Sequence, residues 1–331
     1  MMIDIMNRQA LTQDVSLIII NKENNPELLK TIDNHIRTYI IGRKNHSRNP
    51  MPLIQLNRLL RRLHPDVVHI HNRHIMPCLF CKIPHCCYVY TAHTTTTIPQ
   101  IRRFDKIFAI SQYVRRDIEQ RYGGRTPVQV IYNGIDTQSI IGKKALSLEN
   151  NRFRIVQIGR LVHQQKGQDI LLEALSILIH TYGHTQVSLD FIGGGPSLPF
   201  LQQMAKRLEV DKQVSFLGNR SRNDIYTCLQ DYDLLVQPSR IEGFGLTVAE
   251  AMAAGVPVLI ADIEGPMEIV DKGRCGDFFP QGDAKECARK IDEIITHYTE
   301  RQTTALAGKE FVQDNFDISL SVENYLHFYN Q

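Results

Sequence analysis

Short apolar segments alternate with amphipathic ones along nearly the whole chain of 331 residues, and this pattern limits the fold more than any other feature. Strands that are apolar throughout, separated by helices, are typical of a parallel sheet covered by helices on both faces. The sequence therefore predicts an α/β fold. The predicted strands are residues 15–20, 67–71, 86–90, 106–110, 129–132, 154–158, 188–192, 214–217, 234–237 and 258–261. The predicted helices are residues 52–63, 112–122, 167–180, 197–208, 221–230, 246–254 and 284–297.

The pattern runs twice, with a polar break at residues 142–151, which predicts two doubly wound domains facing each other across a cleft. We assign residues 1–145 to an N-terminal domain and residues 146–308 to a C-terminal domain. Residues 309–331 form an amphipathic helical stretch that could fold back over either domain, packing on the N-terminal domain being one of the two alternatives. A doubly wound domain opens with a strand and a glycine-bearing turn. Residues 1–13 instead have a helical pattern, so the N-terminal domain is expected to lack both features.

Charge is divided unevenly between the two halves. The formal net charge is +3, with +10 over residues 1–150 and −7 over the remainder. A basic half of this kind favours an anionic partner, such as a membrane surface, a phosphorylated lipid or a nucleotide. The basic residues are spread over many segments, so no nucleic acid is predicted. Ordinary solvated helix faces are an equally good interpretation of the arginine pairs at 61–62, 102–103 and 115–116.

Composition excludes several classes of protein. With 43% hydrophobic and 22% charged residues, the chain is neither disordered nor fibrous. Its most apolar stretches, residues 15–20 and 251–261, are shorter than the ~18–20 residues of a membrane span. The first residues lack the pattern of a signal peptide. Seven cysteines, an odd number, fit a reducing compartment. We therefore expect a cytoplasmic protein, with peripheral contact at the inner face of the membrane as a further hypothesis.

Two segments resemble metal sites. The first, at residues 69–87, holds four histidines and four cysteines, including the pair Cys78 and Cys81 at a spacing that suits zinc. No second CxxC follows, and the segment also fits two strands and a turn with packed cysteines, which we favour. The second, Asp231-Tyr232-Asp233, resembles a metal-binding DxD but enters a predicted strand. The sequence therefore predicts no metal site.

The strongest chemical signal is the segment RIEGFGLTVAE at residues 240–250, which follows a predicted strand and opens a helix. The glycines at 243 and 245 allow close approach of a ligand to the backbone, and amides at a helix N-terminus bind anions. Carboxylates such as Glu242 and Glu250 can each accept two hydrogen bonds from a vicinal diol. An alternative is that Thr247 and Glu250 form a capping box.

Two further loops follow predicted strands of the same half. One holds Gly159, Arg160 and Lys166, and two cations in such a loop suit a diphosphate, although a solvated basic loop is an equal alternative. The other is the glycine run at residues 193–195. Open α/β sheets bind ligands at the carboxyl ends of their strands, so the three loops are predicted to share one site.

The set GRL…QKG, IGGGP and PSRIEGFGLTVAEAMAAGVPV resembles the nucleotide-sugar domain of the family-4 retaining glycosyltransferases of the GT-B fold. The segments PDVVHIHN, YTAH, FAISQYV and VIYNGIDT follow in the order of that family. The resemblance covers nearly the whole chain. It implies two Rossmann-like domains, an acceptor side in the first and a nucleotide-sugar site in the second.

The resemblance also implies roles for particular residues. Arg160 and Lys166 would grip the diphosphate, Glu242 would hold donor-sugar hydroxyls, and His93 would lie near the transferred sugar. These four are the expected catalytic residues. Glu250 would hold the ribose, and base contacts are expected near Asn219 and Arg220. The complete expected donor-binding set is Gly159, Gly194, Asn219, Arg220, Gly243, Phe244, Gly245, Leu246, Thr247 and Glu250.

The predicted function is transfer of a sugar, with retention and without a metal or other cofactor, from a UDP- or GDP-sugar. The acceptor would be a glycan or a lipid-linked molecule in cell-surface polysaccharide synthesis. One alternative is a non-catalytic or truncated nucleotide-sugar-binding protein, which the expected lack of the opening strand suggests. Another is an epimerase acting on a nucleotide sugar.

Overall fold

The computed structural model describes residues 1–44, 47–80, 82–124, 126–148 and 152–329. They form two compact units, which are described one by one. Unit 1 comprises Met1–Gly134 with Ile318–Gln331, and unit 2 comprises Ile135–Asp317. The last helix therefore belongs to unit 1. The domain bounds that we assigned at residues 145 and 308 stay a prediction. None of the helices formed by the described residues has both the length and the apolar content needed to cross a membrane.

The sheet of unit 2 has six parallel strands in the order β12-β11-β10-β7-β8-β9. Counted from the first strand of the unit, this is the 3-2-1-4-5-6 order of a Rossmann sheet, read from the opposite edge. The crossover point therefore lies between β7 and β10. The strands are β7 (Phe153–Ile158), β8 (Val187–Ile192), β9 (Val214–Phe216), β10 (Leu234–Gln237), β11 (Val258–Ala261) and β12 (Asp277–Phe279).

Helices cover both faces of this sheet, and local sequence explains where several of them begin. Asp283 caps α11 by accepting a hydrogen bond from the Glu286 amide, and Ser221 forms a capping box with Asp224 on α8. Leu171, Leu175 and Ile291 lie in the core of the unit. The helices are α5 (His163–Lys166), α6 (Gln168–His180), α7 (Leu198–Arg207), α8 (Arg222–Cys228), α9 (Leu246–Ala253), α10 (Glu264–Ile269), α11 (Ala284–Thr296) and α12 (Gln302–Phe316).

Unit 1 has two parallel sheets, one of two strands and one of four in the order β3-β4-β5-β6. The expected lack of an opening strand and glycine-rich loop concerns the start of the sequence and stays a prediction. The strands are β1 (Ser16–Asn21), β2 (Arg37–Arg43), β3 (Val67–Ile70), β4 (Cys87–Ala92), β5 (Lys106–Ala109) and β6 (Val128–Val130). The helices are α1 (Met2–Gln9), α2 (Pro26–Leu29), α3 (Met51–Leu63), α4 (Gln112–Tyr122) and α13 (Ile318–Tyr329).

The single helical stretch predicted from residue 309 onwards is wrong, because α12 and α13 are separate helices. Asp317 between them has an extended backbone, with ψ of 144°, and its carboxylate accepts hydrogen bonds from the amide and hydroxyl of Thr137. In unit 1, Ser321 of α13 donates to the carbonyl of Tyr132. The chain thus changes direction at a residue with a fixed partner, which the amphipathic pattern could not indicate.

Candidate functional site

The loops that follow β7 and β8 pack backbone against backbone. The Gly159 amide donates to Ile192, and the Leu161 amide donates to Gly194. A Cβ atom on Gly193 would lie 2.0 Å from the Gly159 carbonyl oxygen, and one on Gly195 would lie 2.3 Å from that of Leu161. The glycine run is therefore required by this close approach, and it brings Gly159, Arg160 and Gly194 to one end of the sheet.

Replacing Gly193 with alanine should destabilise unit 2 by about 3 kcal/mol or more, since backbone must shift to accept the Cβ atom. Gly183→Ala is the matched control. Gly183 also has a positive φ, of 80°, but nothing lies within 4 Å of its Cβ position. The control should lose only about 1–2 kcal/mol. Chemical denaturation of both variants measures the difference, and equal losses would contradict the packing argument.

A cavity of about 400 Å³ opens at the carboxyl ends of β7, β8 and β9. Five of its lining residues belong to the set predicted from sequence, and they come from three separate loops. The Asn219 side chain lies beside Gly194, 3.1 Å from where a Cβ atom would be. The predicted residues that line the cavity are Gly159, Arg160, Gly194, Asn219 and Arg220.

Lys166 and Glu242 form an ion pair, with Nζ and Oε2 2.5 Å apart. Both side chains are only about one-fifth exposed. Lys166 ends α5, where its carbonyl accepts a hydrogen bond from the buried Gln157 side chain. Lys166, predicted to contact the diphosphate, and Glu242, predicted to contact the sugar, are thus adjacent and paired with each other.

The segment from Glu242 to Thr247 leads directly into α9. Gly245 has a φ of 111° and precedes the first residue of the helix, which begins at Leu246. The Phe244 side chain is buried against Phe316, and its predicted amide contact with a ligand stays a prediction. No side chain caps α9, and the alternative that Thr247 and Glu250 form a capping box is wrong. A Cβ atom on Gly265 would clash with the Glu242 carbonyl, and a glycine there lets this segment pack on α10.

Glu250 lies on α9 in a largely desolvated position. Burial raises the pKa of its carboxyl group to about 7, and the positive charge of Arg222 opposes that rise only in part. In such a desolvated position the ionised form of a carboxyl group is costly. Such perturbed groups are concentrated at functional sites, although structural carboxylates also show them.

A second ion pair, which the sequence analysis did not predict, orients the segment that begins at Glu242. Arg240 donates through both terminal nitrogens to Asp169, each at 2.8 Å, and also to the His163 carbonyl. The fork ties the residue before Ile241 and Glu242 to α6. On the other side, Gln168 donates to the Arg160 carbonyl. Arg240 stood inside the segment singled out from sequence, but its partner lies 71 residues away and no local pattern indicates it.

His93 belongs to unit 1, where it follows the carboxyl end of β4. Its Nε2 atom lies 3.2 Å from Nδ1 of His71, which follows β3. Burial lowers the pKa of His93, and it lowers the pKa of His71 to about 3. Both rings are therefore neutral at pH 7. The other predicted site residues lie in unit 2.

Neither metal alternative gains support from the described residues. Asp233 accepts hydrogen bonds from the Lys143 side chain, the Tyr298 hydroxyl and the Arg154 amide, and it lies at the amino end of β10. Both oxygens of its carboxylate thus have protein partners, at the amino ends of the strands and not at the carboxyl ends where the cavity opens. Cys81 lies outside the described residues. Within them, no group of three or more His, Cys, Asp or Glu side chains is arranged to hold a metal ion.

Comparison with known families decides the affiliation. Residues 141–311, just over half of the chain, match the family described as "Glycosyl transferases group 1", and residues 9–139 match "Glycosyltransferase Family 4". The chain belongs to the group 1 glycosyltransferases. The predicted family is thereby confirmed, and the site loops of unit 2 lie inside the matched segment.

Curated relatives of this glycosyltransferase chain align over part of their length. An uncharacterized glycosyltransferase of Methanocaldococcus jannaschii is 28% identical over 62% of this chain and 54% of its own. The mannosyltransferase LpsB of Rhizobium meliloti, named for lipopolysaccharide core biosynthesis, is 32% identical over 55% and 52%. A GDP-mannose-dependent phosphatidylinositol monomannoside mannosyltransferase of Mycolicibacterium smegmatis is 27% identical over 64% and 58%. The chain spans about half the length of these relatives.

Solved structures confirm the fold of this group 1 glycosyltransferase. Anabaena Alr3699/HepE, solved in complex with UDP and glucose, superposes with a TM-score of 0.81 at 20% identity, covering 99% of this chain and 95% of that one. A glycosyltransferase from Rickettsia africae also has a TM-score of 0.81 at 20% identity, covering 99% and 92%. The predicted α/β GT-B fold with two Rossmann-like domains is confirmed.

Proposed function

We propose that this chain binds a nucleotide-diphosphate sugar at the carboxyl ends of the unit 2 strands and transfers the sugar to a hydroxyl group. The observation that carries the proposal is the cavity, because five predicted residues from three loops line it in a member of a glycosyltransferase family, although no residue of the 240–250 segment does. The names of relatives favour UDP or GDP as the nucleotide and a glycan or lipid-linked molecule as the acceptor.

The residues divide the chemistry between the two ends of the donor. Arg160 and Lys166 carry the positive charge that stabilises a departing nucleoside diphosphate, so we expect transfer without a metal ion. Glu242 accepts hydrogen bonds from sugar hydroxyls, and Glu250 accepts them from the ribose. The backbone of residues 243–247 contributes amides at the start of α9. Retention of configuration is the habit of the family and belongs to the proposal.

Donor binding replaces the contact between Lys166 and Glu242 with contacts between each of these side chains and the donor. In the unliganded protein each of these side chains neutralises the other. A bound diphosphate gives Lys166 a new anionic partner, and the sugar hydroxyls give Glu242 new donors. Lys166 therefore keeps an anionic partner and Glu242 keeps hydrogen-bond donors when the donor arrives, and neither is left buried without a partner. The pair thus holds two catalytic side chains in place until the donor binds.

Release of nucleoside diphosphate from UDP-glucose and GDP-mannose tests the proposal. The assay uses the whole chain, with and without a lipid extract that supplies acceptors, and chromatography detects UDP or GDP. Lys166→Met should abolish release, whereas Lys206→Met, an exposed lysine on α7, should retain it. Release that is the same in both variants would contradict the assignment of Lys166.

The alternative of a non-catalytic nucleotide-sugar-binding protein makes a different prediction in the same experiment. It requires that a nucleotide sugar bind and raise the melting temperature, while no nucleoside diphosphate is released with any acceptor extract. A product sugar nucleotide of altered configuration, formed without acceptor, would instead indicate the epimerase. Binding and turnover are therefore measured on one preparation.

We further propose that α3 brings the cytoplasmic protein to the anionic inner face of the membrane. This helix has the sequence MPLIQLNRLLRRL, buries Leu56 and Leu60, and holds no carboxylate. Arg58, Arg61 and Arg62 are exposed. The other predicted pairs are weaker candidates, since Arg103 is partly buried and the helix of Arg115 also holds the carboxylates Asp117 and Glu119.

Replacing Arg58, Arg61 and Arg62 together with glutamine should weaken binding to phosphatidylglycerol vesicles by about 100-fold, at about 1 kcal/mol per arginine near the surface. Vesicle sedimentation measures the affinity. Arg115→Gln is the control and should change it less than threefold, because its charge is already paired with Glu119. Unchanged sedimentation of the triple variant would contradict the proposal without affecting the nucleotide site.

A further inference from the structure

Two histidines of unit 1 meet because β3 and β4 are parallel neighbours. The pairing sets His69 opposite Val89 and Ile70 opposite Tyr90. His71 and His93 both lie just beyond the carboxyl ends of these strands. Nδ1 of His71 is 3.2 Å from Nε2 of His93, and the ring planes differ by 27° with centroids 5.5 Å apart. The two side chains thus share one hydrogen bond.

That hydrogen bond links the tautomers of the two rings. A neutral imidazole carries one N–H, so a single proton occupies the space between the two nitrogens. If Nε2 of His93 donates, its Nδ1 is an acceptor; if Nδ1 of His71 donates, Nδ1 of His93 must carry the proton. In both cases the tautomer of one ring fixes that of the other, and with it what the remaining nitrogen of His93 presents to a ligand.

The ring of His71 packs against the ring of His69. The two ring centroids are 4.2 Å apart. Both nitrogens of His69 are engaged, Nδ1 with the Tyr329 hydroxyl at 2.6 Å and Nε2 with the Thr91 hydroxyl at 2.7 Å. Thr91 is fully buried and also contacts the Tyr325 hydroxyl. The ring of His69, which packs against His71, therefore has little freedom to turn.

We propose that His71 is a positioning residue that fixes the ring angle and the tautomer of His93, so that Nδ1 of His93 meets a sugar hydroxyl in one hydrogen-bonding state. The inference rests on the proposed function, which supplies the sugar substrates, and on the role near a sugar that the sequence analysis expects of His93. A hydroxyl can donate or accept a hydrogen bond, but a ring that alternates between two tautomers is in the binding tautomer for only part of the time. With a single tautomer, every molecule is in the binding state before the sugar binds.

Nitrogen-15 spectra of the histidine-labelled whole chain at pH 7.5 test the inference. His93, assigned from a His93→Asn spectrum, should be in one tautomer to more than about nine-tenths. In His71→Leu both tautomers should be populated, whereas His71→Asn, whose amide can still bond to Nε2, should restore one. Thr91→Val is the matched control: it removes a hydroxyl from the same cluster and should leave the His93 tautomer unchanged.

Activity gives the second measurement. We expect kcat/KM to fall about tenfold in His71→Leu and to recover within about threefold in His71→Asn, as for other residues that orient a functional side chain. A mixed tautomer in the wild type, or a single one unchanged in His71→Leu, would overturn the inference. The wild-type spectrum decides even if His71→Leu fails to fold. If the wild type transfers no sugar, the proposed function fails, and the tautomer spectra still decide whether His71 fixes His93.

Discussion

Glu242→Gln should lower sugar transfer by about 10²–10³-fold and leave the affinity for the nucleoside diphosphate unchanged or up to about tenfold tighter. The two effects have different causes. The sugar loses a charged acceptor for its hydroxyl groups. Lys166, no longer neutralised by its partner at 2.5 Å, becomes a stronger site for phosphate. Transfer rates and calorimetric titration with UDP and GDP measure the two quantities separately.

Lys166→Met should lower both quantities, because it removes the cation and leaves Glu242 without its partner. In the double variant the losses should not add, as expected for residues in direct contact. Glu300→Gln, at an exposed carboxylate, serves as the control and should change neither quantity. Weaker nucleotide binding with normal transfer in Glu242→Gln would contradict the assignment of this carboxylate to the sugar.

Glu250→Gln should make the unliganded protein more stable and the nucleotide complex weaker. The carboxyl group has a pKa of about 7 in the folded protein, against 4.5 for its ordinary value. A raised carboxyl pKa means that the folded state disfavours the ionised form, so stability falls as the pH rises from 4.5 to 7 and the loss is complete above 7. Removing the charge should recover on the order of 3 kcal/mol at pH 8.

The pH dependence of this gain separates it from a packing effect. At pH 6 the carboxyl group is already mostly protonated in the folded protein, and the gain should be about 1 kcal/mol smaller than at pH 8. Glu286→Gln is a control of opposite sign, since the bond from Arg289 lowers the pKa of Glu286 and its loss cannot stabilise the fold. Melting curves at the two pH values measure both variants. A gain in Glu250→Gln that is independent of pH would contradict the explanation.

Nucleotide binding should respond to the same carboxyl group in the reverse direction. If the ionised Glu250 holds the ribose diol, binding favours the ionised form and lowers its pKa, so affinity rises with pH between 6 and 8. A nucleotide sugar is the suitable ligand because each of its phosphates carries one ester and the shared anhydride bond, and therefore keeps a constant charge between pH 6 and 8. We expect an increase of up to about tenfold in wild type and none in Glu250→Gln.

One strand was missed in each unit, and the bounds of the predicted strands were more accurate in unit 2 than in unit 1. Strands β10 and β11 were predicted to the residue, because they are apolar and fully buried on both faces of a central sheet. Strand β2 was missed, since RTYIIGR alternates polar and apolar residues and ends in a glycine and an arginine. Strand β12 was missed because DFF opens with an aspartate and lies directly between Gly276 and Pro280, a pattern typical of a turn.

In the candidate site too, some features could be predicted from sequence and others could not. Its loops could be located from sequence because they follow strands of a parallel sheet and contain glycines and charged residues in a recognisable order. Contacts between distant segments could not be, because they depend on strand register and helix packing. The fork from Arg240 to Asp169 and the contact of His71 with His93 are both of this kind.

Thermal unfolding with UDP, GDP, ADP and CMP, repeated for Arg160→Ala and Glu250→Ala, tests the central claim most directly. At about 100 times its dissociation constant a bound nucleotide stabilises the folded state by about 2.7 kcal/mol, which raises the melting temperature by several degrees. The account predicts such a rise with one of the diphosphates UDP or GDP, and its loss in both variants. No rise with any nucleotide, or a rise that both variants retain, would contradict a nucleotide-sugar site in these loops.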